Sequence, residues 1–319
     1  MKRILERGRT VAPLCINRIR SGATVVDMIV AMAMIAILTT LIASAVVQSR
    51  EAARRVTCQS RLHQIGLAST TFEERTGFYP SGPGEYGELA WFGRLLADLN
   101  QRDLQRELDL RANDIRALQL YWQSHSLPLF QCPSDPGSLT RQNTSYSINT
   151  GSGFSAFNDE ETPELQFPHG MSSRVAGKSV LDGVSNTAFV AEQLSVFPST
   201  HDRRARWKTP IAFLDSSELD QFADLCSSMP VQAIGVGRWD SRDITSICVY
   251  DHIMTPNQPS CQNGNENLTY STYAASSEHA GGVNVLFVDG SVRFISNSVA
   301  RRVWRALGTR DGSEVVSMQ

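Results

Sequence analysis

No two of the six cysteines, at positions 15, 58, 132, 226, 248 and 261, form a CxxC pair, so the usual sequence sign of a zinc ribbon or a thioredoxin-like centre is missing. No P-loop, HExxH, nucleophile elbow or Rossmann glycine fingerprint stands in a supporting context. Scattered Ser, His and Asp arise by chance in 319 residues. No catalytic set is assigned, and the chain is expected to be no enzyme and to need no cofactor and no metal. A basic stripe is absent too. Lys2, Arg3, Arg7, Arg9, Arg18 and Arg20 face only Glu6, a surplus of five positive charges that leaves -7 on the rest of a chain whose total is -2. An acidic body argues against nucleic acid as a partner. The five tryptophans, at 91, 122, 207, 239 and 304, are dispersed, without an aromatic binding cluster.

Charge is also missing from Met28 to Val47, twenty residues in a row. At about 1.5 Å per residue a helix of that length spans roughly 30 Å, the hydrocarbon thickness of a bilayer. A membrane is therefore an expected partner. Three readings compete for the N-terminus. A cleavable secretory signal has a small-residue site at Ala43-Ser44-Ala45, but its apolar region would exceed the usual length. A simple anchor would be held cytoplasm-side by the leader, against the opposing Arg50, Arg54, Arg55 and Arg61. In the third reading the leader ends at Gly22 and a new chain begins at Ala23.

The third reading rests on Gly22-Ala23-Thr24-Val25-Val26-Asp27 followed by the apolar run. This string resembles the type IV prepilin signal, in which a membrane peptidase cuts after Gly and methylates the new amino group. The family usually has Phe where Ala23 stands and Glu where Asp27 stands. An acid at the apolar margin is costly unless paired, and the new ammonium on a neighbouring subunit is a cation at the same depth. Asp27 is thus the candidate assembly carboxylate, against a solvated place at the headgroup boundary.

Arg50 to Glu74 lacks proline and puts Cys58, Leu62, Ile65 and Phe72 on one helical face. Gly66 weakens that helix, by about 1 kcal/mol relative to Ala, and Gly77 with Pro80 ends it. Further on, Leu89 to Leu104 reads as a helix with a break near Asn100, and 113–124 as another. Short strands are expected within 144–157 and at 187–191. The acidic run 158–164 reads as a solvated loop rather than a Ca²⁺ site. The basic cluster His201, Arg203, Arg204, Arg206 and Lys208 reads as a solvated face. Asp289-Gly290 between two β-prone runs, 283–288 and 291–295, predicts a type I′ hairpin. Asn297 is the expected cap of a helix over 298–307, closed by Gly308.

The strings REAARRVTCQSRLHQIGLA from Arg50, GFYPSG from Gly77, CPSDP from Cys132, DGVSNTAFVAEQ from Asp182 and SSEHAGGVNVLFVDGSVRFISNSV from Ser276 are together similar to prepilin-like proteins with the domain of unknown function numbered 1559, abundant in planctomycetes. The resemblance runs from Ser21 to about Val316, except for residues 195–270. His279, Asp289 and Gly290 match that family's His-x9-Asp-Gly pattern. A regular hairpin puts His279 some 30 Å from Asp289 at about 3.3 Å per residue, so Asp289-Gly290 is read as turn chemistry. His279 is read as fixing a loop, with metal ligation the alternative. Cys58 and Cys132 both fall in matching strings, and a disulfide between them stands against two buried thiols.

The resemblance implies an α+β, pilin-like fold: a long transmembrane helix continuing into a helix packed on a mainly antiparallel sheet. The expected organisation is a leader over 1–22, an N-terminal helix over 23–76, an extracytoplasmic head over 77–296, and a C-terminal helix and tail over 297–319. The expected function is a single-pass subunit of the cytoplasmic membrane, N-terminus inside, processed by a prepilin peptidase and N-methylase. It would assemble with other pilin-like subunits into a type IV pilus or a type II secretion-like pseudopilus. The alternative is an anchored solute- or polysaccharide-binding protein of a transport system. A tethered hydrolase has the least support.

Overall fold

The computed structural model describes residues 24–80, 91–109, 127–139, 144–153, 155–156, 175–195, 206–209, 216–229, 249–262 and 270–312. Gly22 and Ala23, the expected helix at 113–124, the acidic run 158–164 and His201, Arg203 and Arg204 lie outside them. The architecture is α+β, and the chain divides into two compact units, 1–49 and 50–319.

A single helix, α1 (Val25–Thr76), carries both the apolar run and the amphipathic segment. In the first unit its apolar side chains, from Val25 to Val47, are exposed. By length and composition it is a candidate membrane span. In the second unit Cys58, Leu62, Ile65 and Phe72 are buried, the face that the spacing predicts. Gly77 ends the helix at φ 84°, its N–H donating to the Glu73 carbonyl. Glycine reaches that left-handed geometry without steric cost.

The larger sheet runs β5-β1-β3-β8-β9. It consists of β1 (Tyr146–Asn149), β3 (Ala188–Glu192), β5 (Val249–Tyr250), β8 (Gly282–Phe287) and β9 (Val292–Ser296). All its pairings are antiparallel except that of β1 with β5. The smaller sheet runs β2-β7-β6-β4, from β2 (Ser155–Ala156), β4 (Arg206–Lys208), β6 (Ser260–Gln262) and β7 (Tyr270–Thr272). Only its β4 and β6 pair in parallel.

Both faces of the larger sheet are covered, which is why β8 is buried at every position. Side chains alternate along a strand. Val283, Val285 and Phe287 join Tyr250 and Trp304 in one core, while Leu286 and Val288 join Leu62, Ile65, Phe92, Phe130 and Tyr146 in the other. A register shift between Ala188 and Val190 lets Phe189 and Val190 pack in the same core. A third core, around Phe222, Ile253 and Cys261, lies beside the helix Leu219–Ser228. The disulfide Cys226–Cys261 fastens that helix to β6.

Two local expectations, the hairpin turn and the last helix, are corrected. The hairpin loop has three residues, since Phe287 N donates to Ser291 O and Gly290 N to Phe287 O. Gly290 has φ 82°, but Asp289 does not share a positive φ, whereas a type I′ turn requires one at both central residues. This is the pattern of a turn followed by a bulge glycine. The last helix is shorter, Arg301–Ala306, and follows Ala300 without a side-chain cap. Asn297 instead receives a bond from Asn257 Nδ2. The break expected near Asn100 is present: Trp91–Arg94 and Arg102–Asp109 are separate helices, and Asn100 between them has φ 59°.

Gly66 is a close-approach position. A Cβ there would lie 2.8 Å from Leu286 Cδ1 and 3.4 Å from the Gly290 Cα. The helix propensity forgone lets α1 sit against β8 and its turn. Gly66→Leu should therefore lower stability by about 1–3 kcal/mol in denaturant unfolding of the detergent-solubilised chain. An unchanged midpoint would show that α1 does not pack this closely.

Candidate functional site

Four strings that are far apart in sequence meet at one place. Glu51 and Cys58 come from α1, Cys132 and Asp135 from the turn after the short helix Pro128–Phe130, Glu192 from the end of β3, and His279 and Asn284 from the approach to β8 and from β8 itself. Cys58 and Cys132 are joined by a disulfide across 74 residues. Closing a loop of that size removes roughly 4 kcal/mol of unfolded-chain entropy in the chain-entropy picture. Arg61 reinforces the joint by donating to the Gln131 carbonyl.

His279 sits beside this bridge with its side chain only 1% exposed. Its Nδ1 lies 2.7 Å from Glu51 Oε1 and its Nε2 3.3 Å from Glu192 Oε1. Carboxylates only accept, so both ring nitrogens donate when the ring is an imidazolium. Burial opposes that charge, but the bonds and charges of Glu192 first, and Glu51 second, outweigh it and raise the His279 pKa. For Glu51 burial likewise favours the neutral acid, and bonds from His279, Arg54 and Ser134 with the imidazolium charge outweigh it, lowering its pKa.

Glu192 is fixed further by the backbone N–H and the side-chain amide of Asn284, at 2.9 and 2.8 Å. Asn284 Oδ1 in turn accepts from Gln59 Nε2 on α1. Asp135 accepts from Ser145 Oγ, from Ser195 Oγ and N–H, and from the Gly137 N–H. This ties the CPSDP turn to β1 and β3. His279 and Asp289 take separate partners: the Asp289 carboxylate accepts from Ser291 within its own turn.

Glu51, Glu192, Asn284 and Asp135 went unassigned in the sequence, although each stands in one of the quoted strings. Their signal was position within those strings rather than any spacing of their own. As for a metal, Cys58 Sγ, Cys132 Sγ, a Glu192 oxygen and a His279 ring nitrogen lie within 4.8 Å of one another. With the sulfurs joined in a disulfide they are poor ligands, which leaves the carboxylate and, once deprotonated, the imidazole nitrogen.

At the other end of α1, Thr24 N–H and Oγ donate to Asp27 Oδ2 at 2.9 and 2.8 Å, and Asp27 N–H donates to Thr24 Oγ at 3.3 Å. This is a capping box, which the Thr-x-x-Asp spacing could have announced. Among the described residues Oδ1 takes no bond.

Two further buried titratable groups, Asp251 and His252, follow β5 directly. Asp251 Oδ1 accepts from Thr272 Oγ and the Ile253 N–H, and Oδ2 from the Tyr273 N–H. Burial nonetheless pushes its pKa up to about 6. His252 stacks on Trp304 at 4.0 Å, with Nδ1 2.6 Å from the Trp304 carbonyl and Nε2 3.1 Å from Tyr250 Oη. The carbonyl only accepts, so Nδ1 carries the proton and Nε2 accepts from the tyrosine. Burial pushes the His252 pKa down to about 3.

Two outcomes follow from these charges. His279→Ala strands Glu192 without its cation and should cost about 3 kcal/mol in denaturant unfolding, while Glu51→Gln, at the partly exposed end, should cost no more than about 1 kcal/mol. Equal losses would show that the Glu192 contact is not the dominant one. For His252, the unfolded ring binds a proton below pH 6.5 that the folded ring refuses until about pH 3, so its contribution is lost as pH falls. For Asp251 the folded acid holds a proton between pH 3.8 and about 6 that the unfolded one has released, so its contribution is lost as pH rises. The two oppose each other there. Removing one by His252→Gln should make the stability difference between wild type and variant grow with pH by about 1.4 kcal/mol per unit between pH 4 and 6. A flat difference by urea titration would refute the neutral buried imidazole.

Neither the curated proteins nor the solved structures give a match to this chain. A family match covers residues 48–302, which include every contributor to the His279 cluster and the docking half of α1. On that match, the chain belongs to the family described as Protein of unknown function (DUF1559).

Proposed function

We propose that this protein is a membrane-anchored, prepilin-like structural subunit, cleaved after Gly22 and assembled into a type IV pilus or a type II secretion-like pseudopilus. The observation that carries this reading is the first half of α1: an apolar stretch of membrane-spanning length, with exposed side chains and a single carboxylate at its mouth. The capping box engages only Oδ2 of Asp27, which leaves Oδ1 for the Ala23 ammonium of a neighbouring subunit. Two disulfides in the second unit suit an oxidising, extracytoplasmic compartment. The head then lies outside the cytoplasmic membrane and the leader inside. The protein supplies no chemistry of its own, since processing and methylation at Ala23 belong to the peptidase and N-methylase.

The alternative, an anchored solute- or polysaccharide-binding protein, is favoured by the separate core around Phe222 and Cys261. That core adds a second sheet that filament packing alone does not need. Ligand-dependent shifts in the thermal stability of the full chain in detergent would support this alternative.

N-terminal mass spectrometry of the membrane-extracted protein should find N-methylated Ala23. An intact Met1, or a terminus at Val46 after a cut at Ala45, would overturn the proposal. Subunit crosslinks in the membrane should fall sharply in Asp27→Ala, and unchanged crosslinks would remove Asp27 from assembly.

A further inference from the structure

The geometry points to a second, metal-binding state of the His279 cluster: when a dithiol reduces the Cys58–Cys132 disulfide, the two thiolates, His279 Nε2 and a Glu192 oxygen form a four-ligand site for a zinc-like divalent cation.

The donor set is the first support. Two sulfurs, an imidazole and a carboxylate come from four different segments, all four residues are buried, and their donor atoms lie within 4.8 Å of one another. Tetrahedral zinc with bonds of about 2.0–2.3 Å places its ligand atoms roughly 3.3–3.8 Å apart. Nε2 is already 3.3 Å from Glu192 Oε1 and 3.5 Å from Cys132 Sγ.

The surroundings are the second support, and they are independent of the sulfurs. A histidine that ligates through one nitrogen usually donates its other N–H to a carboxylate, which fixes the ring. Glu51 occupies that place, 2.7 Å from Nδ1, and so aims Nε2 at Glu192 and Cys132. Glu192 is itself oriented by both donors of Asn284. Glu51 is one-third exposed beside Ser134, giving the cluster an edge through which an ion can enter.

The step balances. The dithiol gives two electrons and two protons: its two S–H groups become one S–S bond, and the Cys58–Cys132 bond becomes two thiols. Binding of the ion then releases both thiol protons and the Nε2 proton of the imidazolium. His279 keeps its Nδ1–H, donated to Glu51, throughout. The joint between α1 and the CPSDP turn is thus closed covalently when oxidised and through the ion when reduced.

The test uses the full chain in detergent. One portion is left oxidised; the other is reduced with dithiothreitol, freed of it by anaerobic gel filtration, and mixed with zinc or cadmium. The oxidised protein should hold no ion. The reduced protein should hold one ion per chain by elemental mass spectrometry, with a thiolate-to-cadmium ultraviolet band, and Cys58 and Cys132 should be shielded from alkylation. His279→Ala should weaken binding at least tenfold, and Glu51→Gln roughly tenfold, whereas Cys226→Ser should leave it intact. Absence of a stoichiometric ion in the reduced protein, or alkylation of Cys58 and Cys132 undiminished by zinc, would overturn the proposal. The alkylation readout needs no substitution, so it stands even if a variant fails to fold.

Discussion

A buried imidazole held between two carboxylates governs how the second half of α1 meets the sheet. His279 has almost no contact with solvent, and although burial opposes its charge, the bonds and charges of Glu192 and Glu51 outweigh it and raise its pKa. A buried charge there depends chiefly on the buried Glu192 carboxylate, with the partly exposed Glu51 adding less. Glu51 is on α1 and Glu192 on the central strand β3, so the two contacts to one ring link helix to sheet. The disulfide to Cys132, the Gln59–Asn284 bond and the close approach at Gly66 all act along the same seam. Apolar packing gives α1 its buried face, and these polar contacts select one register for it.

The two faces of the larger sheet divide the work. Toward α1, the strands present Val190, Glu192, Asn284 and Leu286, a mixture of apolar and hydrogen-bonding groups. On the other face Val283, Val285 and Phe287 meet Trp304, His252 and Tyr250. There burial lowers the pKa of His252, whereas that of His279 is raised. The difference is the partner: a carbonyl and a phenol for His252, two carboxylates for His279.

Much of α1 was legible in the chain. The missing charges from Met28 to Val47 marked the apolar half, the Cys58, Leu62, Ile65 and Phe72 spacing marked the buried face, and Gly77 marked the end. The strands at 146–149, 188–192 and 282–296 followed from β-prone runs bounded by turn residues. The helix Leu219–Ser228 did not: Leu219, Phe222, Ala223 and Cys226 stand at helical spacing, but no side-chain cap marks where it begins. The Asp289-Gly290 turn was placed but mistyped, because the dipeptide serves more than one kind of hairpin loop and the strand register chooses among them.

What the sequence determined by itself, then, is whatever depends on neighbours along the chain: an apolar run, a helical face, a glycine stop, a capping box at Thr24 and Asp27. The convergence of Glu51, Cys58, Cys132, Glu192, His279 and Asn284 was decided by tertiary structure alone. Glu51 and His279 alone stand 228 positions apart, and no local periodicity encodes a contact of that range. Only the packing of α1 on β3 and β8 brings two carboxylates to one imidazole, and the burial of Glu192 with His279 makes theirs the stronger contact.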